Sequence, residues 1–110
     1  MSARRPKTID LSPEDKYQQL LGGEPETCGM RSGRQAIAPG AECGEHSTKA
    51  HEEVLVILSG TGVAKLGDGS TLELRDGQIA YIPPHTTHNI VNTGGEVLRY
   101  IYVVAPVAEC

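Results

Sequence analysis

The stretch VLVILSGTGVAKLGDGSTLEL, residues 54–74, holds three apolar segments separated by two glycine-bearing turns. Asp68-Gly69 between Val63–Leu66 and Thr71–Leu74 spells a hairpin, because glycine tolerates the positive φ that a tight turn demands. Further turn signals stand at Pro39-Gly40, Asp76-Gly77, Pro83-Pro84 and Gly94-Gly95. Intervals of about 8–20 residues between turns, with no helical pattern from Thr27 onward, predict an all-β sandwich or barrel. Val54–Leu58 is apolar on both strand faces, so both faces need cover. In a barrel this small, the N-terminal segment or a second subunit must supply the outer cover, and a homodimer is expected.

Upstream, Ser12-Pro13-Glu14-Asp15 reads as a helix start: a serine cap, proline at the first helical position, and acids at the positive end of the dipole. Tyr17, Leu20 and Leu21 follow at helical spacing, and Gly22-Gly23 ends the segment. The expected organisation is an extension with a short helix over 1–24, a single antiparallel barrel over 25–106, and a tail over 107–110.

The chain has 110 residues and a formal net charge of −4, which argues against a nucleic-acid partner that would need neutralising lysines and arginines. Its longest apolar run is far short of the ~20 residues of a membrane span, and no apolar segment follows the basic start. Cys28, Cys43 and Cys110 are an odd count without a Cys-x2-Cys pair. A disulfide framework would call for an even set, so free thiols and a cytoplasmic location are expected.

All four histidines fall in two clusters, His46 with His51 and His85 with His88. Strand alternation puts His51, Glu53, Leu55 and Ile57 on one face, with Glu52, Val54 and Val56 on the other. Imidazoles and a carboxylate on inward positions suit Fe, Mn, Ni, Co or Zn without choosing among them.

At these residues the sequence resembles the cupin superfamily, small barrels of the double-stranded β-helix or jelly-roll type. The first family motif, G-x5-H-x-H-x3,4-E-x6-G, reads Gly40-x5-His46-x-Thr48-x4-Glu53-x6-Gly60, with Thr48 where the family has its second histidine. The second, G-x5-P-x-G-x2-H-x3-N, reads Gly77-x5-Pro83-x-His85-x2-His88-x3-Asn92, with His85 in place of glycine. The resemblance implies a metal site at His46, Glu53 and His88, leaving Thr48, a poor ligand, to contribute at most a supporting hydrogen bond. His51 is a further candidate ligand, about 7 Å along the strand from Glu53. Glu53 is also the candidate catalytic base. Without a metal it would need a partner, for which Arg31, Arg34 or Arg99 is available. His85 reads as a turn residue in the left-handed region. Cys43 reads as a surface or interface thiol, since alternation turns it away from His46. Tyr100 and Tyr102 share a face that parity alone assigns to neither pocket nor exterior.

Two functions follow from the resemblance. One is a metal-dependent enzyme, dioxygenase- or isomerase-type, acting on a small organic molecule. The other is a non-catalytic small-molecule or metal-binding module, a sensor or scaffold.

Overall fold

The computed structural model describes residues 4–108, so Cys110 lies outside the described residues. Nine strands follow in order: β1 (Gln18–Gly22), β2 (Arg31–Ile37), β3 (His46–Ser47), β4 (His51–Ser59), β5 (Thr61–Leu66), β6 (Thr71–Arg75), β7 (Ile79–Ile82), β8 (Thr87–Val91) and β9 (Leu98–Pro106). They form two antiparallel sheets, β1-β2-β9-β4-β7 and β3-β8-β5-β6. The all-β barrel expected from the turn spacing is present. Its β5–β6 hairpin turns at Asp68-Gly69, with Gly69 at φ 89° and the Asp68 carboxylate accepting the Ser70 amide at 2.9 Å.

Between the sheets lies one apolar core. The larger sheet contributes Ile37, Leu55, Ile57, Ile82, Leu98 and Tyr100; the smaller adds Ala64, Leu74 and Ile90. Burying one such aliphatic side chain stabilises by about 1.5–3 kcal/mol. That reserve, gathered at one end, lets the other end of the barrel carry polar groups. Buried Asn92 pins the core end, its amide donating to the carbonyls of Ile37 at 2.8 Å and Glu96 at 2.7 Å.

The short N-terminal helix is not formed, and no helix occurs among the described residues. Residues 13–16 are bends, and Gln18–Gly22 instead pairs with β2. The reason lies in Arg34. Its guanidinium is buried on the outer side of β2 and takes the carbonyls of Ser12 at 3.1 Å, Glu14 at 2.7 Å and Lys16 at 3.3 Å. Those carbonyls would otherwise accept intrahelical bonds, and a two-turn helix is too short to compete. Ser12 still acts locally, its hydroxyl accepting the Glu14 amide at 3.2 Å. The segment becomes a strap across the sheet, fastened again where Arg99 donates to both Asp15 oxygens at 2.7 Å. Among the described residues no helix is long and apolar enough to cross a membrane.

Candidate metal centre

Strand register assembles the site. His46 on β3 pairs directly with His88 on β8, and directly paired residues share a face. Glu53 stands on the inner face of β4, in the opposite sheet. One potential ligand atom from each of His46, Glu53 and His88 lies within 4.8 Å of the other two. Glu53 Oε1 is 3.1 Å from His88 Nε2, and the two imidazole rings meet edge to face with centroids 4.2 Å apart. Glu53 and His88 are buried, while His46 faces the opening.

Both rings are oriented from behind. His46 Nδ1 lies 3.1 Å from the Gly44 carbonyl and His88 Nδ1 lies 3.1 Å from the Thr86 carbonyl. A carbonyl only accepts, so each Nδ1 carries the proton and each Nε2 keeps its lone pair for a cation. This donor set, two neutral imidazoles and one carboxylate, fits a divalent first-row metal. Burial opposes a charge on His88. The hydrogen bond to Glu53, the Thr86 carbonyl and the attraction of the carboxylate outweigh it, raising the His88 pKa above its ordinary value.

Thr48 is the support beneath the site. It is buried, its hydroxyl donates to the Pro83 carbonyl at 2.7 Å, and it accepts the Thr86 amide at 3.0 Å. It thereby ties the β3–β4 connection to the loop whose Thr86 carbonyl orients His88.

The cluster opens into a cavity of about 270 Å³. Leu55, Ile90 and Val104 form apolar wall, with Tyr100, Tyr102, Gln35 and Arg31 as polar wall. Burial holds the Tyr100 and Tyr102 phenols well above their ordinary pKa, so at neutral pH both keep their protons. His51 also lines this cavity, half-buried on the β4 face that carries Glu53, but its ring is not in the close group formed by the other three residues.

Several sequence expectations resolve here. Tyr100 and Tyr102 point inward. His85 is an exposed turn residue at φ 57°, a left-handed conformation that explains why it can stand at a glycine position. Glu53 is partnered by His88; Arg34 and Arg99 are engaged with the strap instead. Cys43 corrects the alternation argument: it is half-buried, packs on the core and lines the cavity. Gly44, at φ 105° and outside any strand, breaks the alternation between Cys43 and His46. Thr48 makes the supporting hydrogen bonds its motif position allowed, whereas the strap carries no spacing signal, because it depends on contacts between segments distant in sequence.

Fold and site together define a small double-stranded β-helix barrel with a two-histidine, one-carboxylate cluster at its mouth. The family model described as Cupin_2, cupin domain, matches residues 33–104, and the chain belongs to this cupin family. It is 31% identical over 117 aligned residues to the polyketide synthase CurC of Streptomyces cyaneus, covering 98% of this chain and 75% of that protein. It spans 54% and 33% of two further curated relatives. Among solved structures it resembles BH2720 of Bacillus halodurans, with a TM-score of 0.79 at 22% identity over 96% of this chain and 85% of that one. It also resembles a Cupin 2 conserved barrel domain protein of Salinispora arenicola, with a TM-score of 0.73 at 21% identity over 97% and 92%.

Proposed function

We propose that this cupin is a metal-dependent enzyme acting on a small, oxygen-rich organic molecule of the polyketide type. The observation that carries the reading is the close group of His46, Glu53 and His88 at the wall of a cavity of about 270 Å³. That volume suits a molecule of one or two rings. The likeness to the polyketide synthase CurC supports the substrate class.

His46, Glu53 and His88 would hold Fe, Mn, Ni, Co or Zn, which supplies Lewis acidity toward the substrate's oxygen atoms when bound. The protein's own groups do the rest. Leu55, Ile90 and Val104 exclude water and position an apolar ring. Tyr100 and Tyr102, held neutral, are placed to donate hydrogen bonds to substrate oxygens. Glu53, 3.1 Å from His88, is the group suited to take a proton from carbon or oxygen in an isomerase- or dioxygenase-type reaction.

The test is turnover of hydroxylated naphthalenes and 1,3-diketones by protein loaded in turn with each of the five metals, followed by absorbance and oxygen uptake. Conversion by wild type and none by His88→Ala supports the enzyme. Tight ligand binding without conversion, under every metal, supports the second reading, a non-catalytic binding module. Thr48 favours that second reading, because it removes one imidazole from the family's ligand pattern.

A further inference from the structure

Arg31 is, among the described residues, the one lysine or arginine that lines the cavity. Among the described residues it has no ion pair and no side-chain hydrogen bond, whereas Arg34 and Arg99 are both engaged. The carboxylate of the cavity wall, Glu53, has its 3.1 Å contact with His88 and not with Arg31. The Arg31 charge is therefore unbalanced by any side chain of the site. Arg31 is exposed, and its stem lies across buried Gly23, where an added Cβ would stand 3.1 Å from Arg31 Cγ.

Register fixes where this cation sits. Arg31 pairs with Val104, and Val104 pairs with Glu53. The three occupy one row across β2, β9 and β4, and all face the cavity. At about 4.8 Å per strand, Arg31 and Glu53 have backbones about 10 Å apart across the row. In the next rows along β2 stand Gly33, opposite Tyr102, and Gln35, opposite Tyr100. Gly33 leaves the space that the Tyr102 and Tyr17 rings fill, since a Cβ there would come within 2.8 Å of both. The two phenols share one hydrogen bond of 2.6 Å. When Tyr17 donates, Tyr102, the one of the two that lines the cavity, keeps a proton to offer there. The oxygen-binding cluster thus shares one cavity with an arginine and a phenol, the Arg31 and Glu53 backbones about 10 Å apart across the row.

We propose that Arg31 is the specificity-determining residue of the cavity and that the ligand is a carboxylic acid. Its carboxylate pairs with the Arg31 guanidinium, and its oxygenated end faces His46, Glu53 and His88. The inference rests on the proposed metal site for the second contact and not for the first. A carboxylate matches the two-pronged face of a guanidinium. A doubly charged phosphate would be left with one cation and a phenol, too few donors for its oxygens. With a divalent ion bound, Glu53 leaves the site with excess positive charge, which strengthens the preference for an acid.

The experiment uses the full chain loaded with zinc, which is redox-inert, and two probes, 3,4-dihydroxybenzoate and its methyl ester. The diol is common to both; the carboxylate is present in one. Calorimetry should show wild type binding the acid about tenfold more tightly than the ester, as a single charge-assisted contact provides. Arg31→Gln should remove that preference and leave the ester's Kd unchanged, while Arg31→Lys retains part of it. Equal weakening of both probes by Arg31→Gln overturns the proposal, as does an intact preference or a wild type that binds neither probe. The metal reading is separated by running zinc titrations and repeating the comparison on metal-free protein with benzoate and methyl benzoate. An Arg31-dependent preference without zinc binding sinks the metal site and sustains the acid pocket. Zinc binding through His88 with no acid preference does the reverse.

Discussion

Glu53 Oε1 and His88 Nε2 stand 3.1 Å apart, both side chains almost wholly buried, close enough to share a proton whenever His88 is protonated. A cation between the two residues must displace that proton, so metal and proton compete for His88. The pH trends of the metal-free and metal-loaded protein should therefore be opposite. Because His88 has a raised pKa when folded, its protonated form stabilises the metal-free protein. That contribution is complete below the unfolded histidine value near ~6.5 and is lost as pH rises through the higher folded value. Zinc affinity should instead rise over the same window. Thermal midpoints measured from pH 5.5 to 8.5, with chelator and with zinc, should slope in opposite directions, and Glu53→Gln should flatten the chelator series. Parallel slopes in the two series would count against the shared site.

Thr48→Val keeps the shape of the side chain and removes its hydroxyl. The Pro83 carbonyl and the Thr86 amide then lose a partner, and the loop that orients His88 loosens. Zinc affinity should fall about tenfold, the lower end of what removing an outer partner of a ligand costs. Stability should fall by about 1–2 kcal/mol. Calorimetry and chemical denaturation read the two effects separately. Unchanged zinc affinity would mean that Thr48 supports the fold alone.

The site was legible in the sequence where local periodicity governs it. Glu53, Leu55 and Ile57 face inward because β4 is a regular strand, and alternation is reliable there. The Asp68-Gly69 hairpin was legible because two residues determine the turn. Reading failed where regularity does: Cys43 precedes a glycine at positive φ, and one such residue reverses the face assignment. The helix expected after Ser12 failed for a different reason. Its local signals are real, but three of its carbonyls are claimed by Arg34, a residue 18 to 22 positions later. The row that sets Arg31 beside Val104 and Glu53 joins three strands far apart in sequence, and no spacing rule reaches across it.

Arg34→Met tests the strap. The aliphatic stem is largely retained, and the bonds to Ser12, Glu14 and Lys16 are lost. Hydrogen bonds to a charged donor contribute about 1.5–3 kcal/mol each at most, and these three act through one side chain. Methionine also relieves the buried guanidinium, whose Nε has no partner among the described residues. The net loss should be about 2 kcal/mol. Amide exchange should speed up over residues 13–22 while the β4 and β9 amides stay protected. Uniform faster exchange throughout the chain would show that the strap is not a separate unit.

The outer face of the larger sheet bears on assembly. Val54 and Val56 on β4 pair with Val103 and Ile101 on β9, and on the other side with Tyr81 and Ile79 on β7. Ile79 is 71% exposed, Tyr81 52% and Leu58 40%. The strap is fastened to this sheet at β2 and β9, through Arg34 and Arg99. A contiguous apolar surface of this kind marks an association site more often than a free exterior. A second copy, packing sheet on sheet about a twofold axis, would cover it with its own equivalent face. Light scattering at tens of micromolar should accordingly give twice the mass of one chain. Ile79→Glu places a charge at the most exposed apolar position, where burial against a twin would set two carboxylates near the same axis. That variant should run at the mass of one chain with an unchanged circular dichroism spectrum. A wild type that scatters as a single chain at this concentration removes the dimer, and the exposed β4–β7 face would then have to be compatible with solvent.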